Sequence, residues 1–353
     1  MVEKLKLPVL GVPVGLVLVI MAHCGNPFHL GLCIACFLRD ISGSLGFHSF
    51  VDGRYMRPEI PGLILGSFIV SLVTKEFAVK GGSAPLTRFA LGICIIVGAF
   101  IFLGCPTAML LRMARGDLNA LVGLFGFAAG VLGGMFFLNK GFSLGRTYNV
   151  SKSDGAVLPF ISVLLLMALL FVPSILNFSE GGFASFRAPI FISLGGGLII
   201  GGIAFIGRIC TVAAVRDSVF FKNFSVLFAI LAMMAVVTAY NLISGVFSPS
   251  FDVPYAHSDG LWNFLGMTLV GFIAVLIGGC PFRQLILAGS GNSDAAVTVF
   301  GMAVGSALVH NLNLASTSAA ISERGPVGFA IAAAVAVTIA LYNTFFNKKA
   351  RNN

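Results

Sequence analysis

Residues 102–130 read FLGCPTAMLLRMARGDLNALVGLFGFAAG, and residues 276–305 read LIGGCPFRQLILAGSGNSDAAVTVFGMAVG. From the Gly-Cys-Pro onward the two align without a gap at an offset of 175 residues: Gly104, Cys105, Pro106, Leu110, Gly116, Phe125, Gly126 and Gly130 recur as Gly279, Cys280, Pro281, Leu285, Gly291, Phe300, Gly301 and Gly305. An earlier pair, CIACFLRD and CTVAAVRD, aligns at an offset of 177 and sets Cys33, Arg39 and Asp40 over Cys210, Arg216 and Asp217. Oily Gly/Ala-rich segments match by chance, but Cys, Pro, Arg and Asp at fixed spacing do not. The chain therefore reads as one internal duplication, with repeats expected at 1–178 and 179–353.

Composition says what solvent the repeats meet. The 353 residues are 58% hydrophobic and 10% charged, against roughly 25% charged in a soluble domain, and the mean hydropathy is +1.00. The net charge of +9 comes from basic residues scattered between apolar stretches, without the run or stripe that nucleic acid requires. A lipid bilayer is the expected partner.

A bilayer core about 30 Å thick takes about 20 apolar helical residues. Ten segments approach that length, near 8–24, 60–74, 88–104, 118–138, 156–177, 189–206, 224–246, 261–279, 293–312 and 326–346. The first follows Lys4 and Lys6 but no small-x-small cleavage site follows it, so it reads as a retained span rather than a signal peptide. The expected fold is an all-α polytopic membrane protein. Five spans per half make the second repeat enter from the opposite side, giving inverted repeats. With both termini cytoplasmic, the inner loops and tails hold Lys4, Lys6, Lys75, Lys80, Arg88, Lys140, Arg146, Lys152, Lys348, Lys349 and Arg351, and the plain outer loops only Arg187 and Arg324. That is the positive-inside bias of a cell inner membrane.

Four shorter apolar pieces, near 28–38, 106–114, 209–216 and 281–288, are too short to cross and are bounded by Gly, Pro or charge. They read as half-helices that enter and turn back, those after Cys33 and Cys105 from outside and those after Cys210 and Cys280 from the cytoplasm. Four cysteines then converge near the midplane. In Gly-Cys-Pro the cysteine takes the N-cap and the proline the first helical position, where its missing N–H costs nothing. Free N–H groups and the positive end of the helix dipole point where the thiol points, which makes an anion site. A thiol is a weak donor and soft acceptor, suited to sulfur or selenium. Cys36, three residues after Cys33, shares its helix face and reads equally as a cavity residue or as packing. Cys24 and Cys94 read as small buried residues.

Arg39 and Arg216 are placed at the ends of their half-helices, each followed by an aspartate. Buried charge in a membrane is a functional candidate, and a structural ion pair with Asp40 or Asp217 is the alternative. Arg112, Arg115 and Arg283 read either as anion-attracting groups at the two mouths or as solvated flanks. His23, His29, His48, His257 and His310 show no metal-ligand spacing, and His310 reads as interfacial. No metal, cofactor or catalytic-triad motif is expected.

The motifs GLCIACFLRD, GCPTAMLLRMARGD, GRICTVAAVRD and GCPFRQLILAGSGNSDA resemble the YeeE/YedE family of sulfur-compound transporters over nearly the whole chain, the last being similar to the branch described as selenium transporters. The resemblance implies an hourglass-shaped helical protein with short non-spanning helices and uptake of thiosulfate or a selenium species. It implies path cysteines that pass the anion by S–H hydrogen bonds, and a cytoplasmic TusA-like sulfur carrier as partner. By motif the path falls on Cys33, Cys105 and Cys280, with Cys210 added by the internal symmetry. Thiosulfate carriers of the family have three path cysteines, whereas this chain offers four or five, which leaves the chalcogen open. Beside this non-enzymatic reading stand two others: a membrane thiol oxidoreductase or sulfur/selenium transferase using Cys33 and Cys36, and a channel for neutral solutes.

Overall fold

The computed structural model describes residues 2–27 and 31–346, with the side chains of residues 2–6 left aside. His29, Lys348, Lys349 and Arg351, together with the side chains of Lys4 and Lys6, lie outside the described residues. The protein is an all-α polytopic membrane protein. Among the described residues eight helical stretches are long and apolar enough to cross a bilayer, and Leu7–His23 and Glu59–Val73 are shorter apolar helices. Each of the ten expected spans coincides with one of these.

In chain order the helices are α1 (Val2–His23), α2 (Ile34–Ser44), α3 (Glu59–Val73), α4 (Pro85–Phe102), α5 (Pro106–Met113), α6 (Leu118–Asn139), α7 (Lys152–Phe171), α8 (Ile190–Ile206), α9 (Thr211–Phe220), α10 (Ser225–Ile243), α11 (Gly260–Leu276), α12 (Pro281–Gly289), α13 (Ser293–Asn311) and α14 (Gly325–Leu341). A two-residue antiparallel pairing of Lys80–Gly81 with Tyr148–Asn149 is the one sheet among the described residues.

Loop contacts define two faces. On the first face Asn177 N–H donates to Ser44 O (2.8 Å), Ser179 N–H to Arg54 O (2.8 Å), Ser250 N–H to Gly116 O (3.1 Å) and Ser316 N–H to Phe100 O (3.1 Å). On the second face Lys80 bridges both Asn149 and Asn292, and Arg88 Nη1 donates to Ile277 O (3.3 Å). Helices α1, α4, α7, α10 and α13 run toward the first face, and α3, α6, α8, α11 and α14 run back. The short helices α2 and α5 run from the interior to the first face, and α9 and α12 run from the interior to the second.

Glycine sets how closely the spans pack. The main pairings are α1 with α10, α3 with α8, α4 with α13, and α6 with α11. A Cβ on Gly126 would run into the carbonyl of Phe264, and one on Gly301 into the carbonyl of Phe89. Such small residues let backbones approach where lipid supplies no hydrophobic drive between helices.

The half-helices begin at cysteine. Cys33, Cys105, Cys210 and Cys280 are all extended N-cap residues, and Pro106 and Pro281 open their helices. Three of the four are entered through a left-handed residue two positions earlier: Leu103 (φ 62), Arg208 (φ 47) and Gly278 (φ 87). That conformation, disfavoured for Leu and Arg, closes the preceding span and lets the chain restart at the cysteine.

The first half-helix departs from its expected bounds. It begins after the extended cap at Cys33 and covers Ile34–Ser44, running past the expected end at 38, while positions 28–30 lie outside the described residues. Helix α9 likewise continues to Phe220. Arg39 and Arg216 therefore sit within their helices and not at the ends.

Candidate functional site

The cap geometry gathers the thiols into two clusters. In the first, Cys33 Sγ lies 2.7 Å from Cys36 Sγ, inside van der Waals contact and beyond the roughly 2.05 Å of a disulfide; all seven cysteines are free. Cys36 N–H donates to Cys33 Sγ at 3.3 Å. Ile34 N–H, from the first turn of α2, donates across to Cys105 Sγ at 3.2 Å, and the N–H groups of Ala35 and Ala108 face the same sulfur. The Cys105 thiol thus sits where the N-termini of α2 and α5 meet. Orphan amides of both helices, which must find partners in a dry interior, converge there. Cys33 and Cys105 are fully buried and Cys36 nearly so.

The second cluster repeats the plan with two thiols. Cys210 Sγ lies 3.8 Å from Cys280 Sγ, and the N–H groups of Thr211 and Arg283 face Cys280. Thr211 stands 177 residues after Ile34 and Arg283 stands 175 after Ala108, so the same two helix positions point amides at the sulfur in both clusters. Cys94 is buried in the wall of α4, and Cys24 is half-buried near the first face.

A cavity of about 30 Å³ is walled by Leu32, Thr107, Ile209, Thr211 and Phe282 at the half-helix starts and by residues of α1, α8 and α10. The five named residues each lie within two positions of Cys33, Cys105, Cys210 or Cys280. A cavity of about 490 Å³ opens on the first face, lined by Cys36, Arg39, Phe50, Phe100, Tyr255 and His310 among others. A cavity of about 280 Å³ on the second face is lined by Arg88, Val212, Arg216, Ile277 and Gly278. Large recesses thus approach the thiols from both faces, and Cys36 is itself part of the first-face wall.

The charged residues form ion pairs. Arg39 Nη2 and Arg57 Nε hold the two oxygens of Asp40, each at 2.7 Å, with all three side chains buried. Arg57 also donates to the carbonyls of Phe183 and Phe186, while the Arg39 guanidinium lies over the rings of Phe50 (5.5 Å) and Phe100 (5.9 Å). Arg216 pairs with Asp217 at 2.7 Å in a more open setting. Arg112 is no solvated flank: it is fully buried, holds Asp117 at 2.7 Å and caps the Phe102 carbonyl at 2.9 Å. His310, in the last turn of α13, is half-buried and lines the first-face recess. Its ring stacks on Phe50 at 4.7 Å and meets Phe100 edge-on at 4.8 Å, because the 45–57 loop folds over the end of α13.

Arg57 and Glu59 were not singled out from the sequence. In RPEIPG they look like an ordinary charged approach to a span, yet Glu59 is completely buried and accepts from Asn26 Nδ2 (2.8 Å) and Ser193 Oγ (2.9 Å). The partners lie 33 and 134 residues away, beyond the reach of any local signal.

Residues 206–346, most of the second half of the chain, match the family model described as sulphur transport. No curated protein matched the sequence.

Proposed function

We propose that the protein is a transporter or facilitator for a small anion containing sulfur or selenium, thiosulfate-like in size, handed along thiols at the starts of the half-helices. Cys33, Cys36 and Cys105 form the station nearer the first face, and Cys210 with Cys280 the station nearer the second. The observation that carries the reading is the setting of Cys105, a soft sulfur at the meeting point of two helix N-termini, repeated around Cys280 by equivalent amides. Helix N-termini favour anions and thiols favour chalcogens. Non-helical backbone at membrane depth is tolerated where it lines a cavity, and the sulphur-transport match over 206–346 agrees.

The same proposal includes two inverted repeats, 1–178 and 179–353. In its support, Gly126 abuts Phe264 as Gly301 abuts Phe89, and both residues of each pair shift by 175. We place the second face, with Lys75, Lys80, Arg88, Lys140, Arg146 and Lys152 around it, in the cytoplasm of a cell with an inner membrane. A TusA-like carrier would accept the cargo there. Arg39 with Asp40 and Arg216 with Asp217 support the half-helices as ion pairs and offer positive charge to the two recesses.

Uptake of labelled thiosulfate by proteoliposomes tests the reading, with sulfate, selenite and a selenium analogue of thiosulfate alongside. Thiosulfate or the selenium analogue enters and sulfate does not. Cys105→Ala and Cys280→Ala abolish uptake while the proteins remain folded, and normal uptake in both variants removes the proposal.

One observation favours a second reading. The contact of Cys33 Sγ with Cys36 Sγ, the first at a helix cap and the second in its first turn, is a suitable arrangement for a redox dithiol. A membrane thiol oxidoreductase or sulfur transferase would cycle this pair during turnover, and thiols that stay reduced throughout turnover count against it.

A further inference from the structure

The two thiol stations differ in what surrounds them. Position 283 answers position 108, yet it holds Arg283 against Ala108; position 211 answers position 34, yet it holds Thr211 against Ile34. Both differences set polar groups beside Cys210 and Cys280. Thr211 is 8% exposed and lines the small cavity beside the half-helix starts. Its hydroxyl lies beside the Cys280 thiol, a weak acceptor, and among the described residues Oγ1 has no other partner.

Among the described residues Arg283 Nη1 is buried and has no hydrogen-bond partner. Arg39, Arg57, Arg88, Arg112 and Arg216 each hold an aspartate. Among the described residues the ionisable groups that act on the Arg283 guanidinium are Cys210, Cys280 and Arg208, none of them a carboxylate. A buried hydroxyl and a buried guanidinium nitrogen without strong acceptors are each unfavourable. The ligand that satisfies both is an oxyanion, whose oxygens accept from Thr and from the planar guanidinium fork together.

We propose that Thr211 and Arg283 form an oxyanion subsite beside Cys280, holding the oxygen end of a substrate whose sulfur or selenium end faces the thiols. The cargo is then two-ended, a tetrahedral oxyanion with a terminal chalcogen, and not a bare chalcogenide. This inference rests on the thiol path proposed above and gives its two stations different tasks. The Cys33–Cys36–Cys105 station offers soft contacts and helix amides, whereas the Cys210–Cys280 station adds hard, charged hydrogen-bond donors. No covalent bond forms or breaks in either.

Thiosulfate, with both ends, and thiocyanate, with a terminal sulfur and no oxygen, are the probes. Binding of each to the purified full-length protein in detergent is measured by titration calorimetry for the wild type, Thr211→Val, Thr211→Ser and Arg283→Gln. Thr211→Val and Arg283→Gln weaken thiosulfate about tenfold or more and thiocyanate by no more than about threefold, as expected for loss of hydrogen bonds to a charged acceptor. Thr211→Ser, which keeps the hydroxyl, stays within about threefold of wild type for both. The inference is overturned by unchanged thiosulfate affinity in Thr211→Val and Arg283→Gln, by equal loss of both anions, or by a wild type that does not bind thiosulfate. Normal uptake by both Cys105→Ala and Cys280→Ala would remove the thiol path and leave the titration result standing, so the two proposals fail separately.

Discussion

The amide of Ile34 donates to the sulfur of Cys105 at 3.2 Å, so the first turn of one half-helix is held by the cap residue of another 71 positions along the chain. Neither half-helix is long enough to be stable alone. Their junction is made of the groups proposed to meet the anion, which ties the order of the interior to the chemistry of that sulfur.

Replacing that sulfur by oxygen separates the two roles. Cys105→Ser keeps an acceptor for Ile34 N–H, so its melting temperature in detergent stays within a few degrees of wild type, whereas a hard hydroxyl is a poor partner for a terminal chalcogen. Thiosulfate uptake in proteoliposomes falls at least about tenfold, equivalent to about 1.4 kcal/mol. Wild-type uptake by this variant would mean that the thiol is merely structural.

Asp40 holds two buried arginines, and Asp217 holds one in the open. Asp40→Asn leaves Arg39 and Arg57 without their counter-charge and destabilises by about 3–5 kcal/mol. Asp217→Asn, facing an Arg216 side chain that is 40% exposed, costs less than about 1 kcal/mol. Thermal unfolding of both variants in one detergent checks the ranking, and similar losses would contradict it.

Glycines at the span crossings differ sharply in what a methyl group meets. Gly126→Ala and Gly301→Ala drive a Cβ into a backbone carbonyl that cannot swing aside, costing about 1–3 kcal/mol each. Gly133, on the same helix as Gly126, has only a side-chain atom of Phe272 at 3.7 Å. Gly133→Ala is neutral or stabilising by up to about 1 kcal/mol through helix propensity. Equal melting shifts for all three would refute the packing argument.

Cys36 lines the first-face recess, while Cys33 is completely buried behind it. In a Cys24→Ser background a charged methanethiosulfonate reagent added to that face labels Cys36 before Cys33, and with Cys36→Ser added Cys33 reacts at least about tenfold more slowly, since reactivity follows access and thiolate character. Mass spectrometry of timed samples reads both rates. Faster labelling of Cys33 would reverse the order of approach proposed for the path.

Much of this was legible in the linear chain because it rests on local chemistry. Gly-Cys-Pro announces a cap and a helix start wherever it falls, and the spans follow from length and hydropathy; Cys105, Cys280 and the ten helices needed nothing more. Helix ends were harder. Ser42, Gly43 and Ser44 look like a stop, yet they are buried and helical, because Ser42 finds Ala303 O and Ser306 on α13. The Arg39–Asp40–Arg57 cluster, Arg112 on Asp117 and the burial of Glu59 depend on which loop folds over which helix end, and no local pattern carries that. The unpartnered states of Thr211 and Arg283 are invisible in sequence for the same reason, since a donor is orphaned only relative to neighbours brought from elsewhere.

The cavity beside the half-helix starts measures about 30 Å³, space for two or three water molecules at about 10–15 Å³ each, and Cys33, Cys105 and Cys280 are at most 1% exposed. On the proposed path, the thiols are packed too tightly at rest for the cargo to sit among them, although wider recesses approach from either face. On that path each passage is a discrete event, in which the packing loosens around one cargo and reseals behind it.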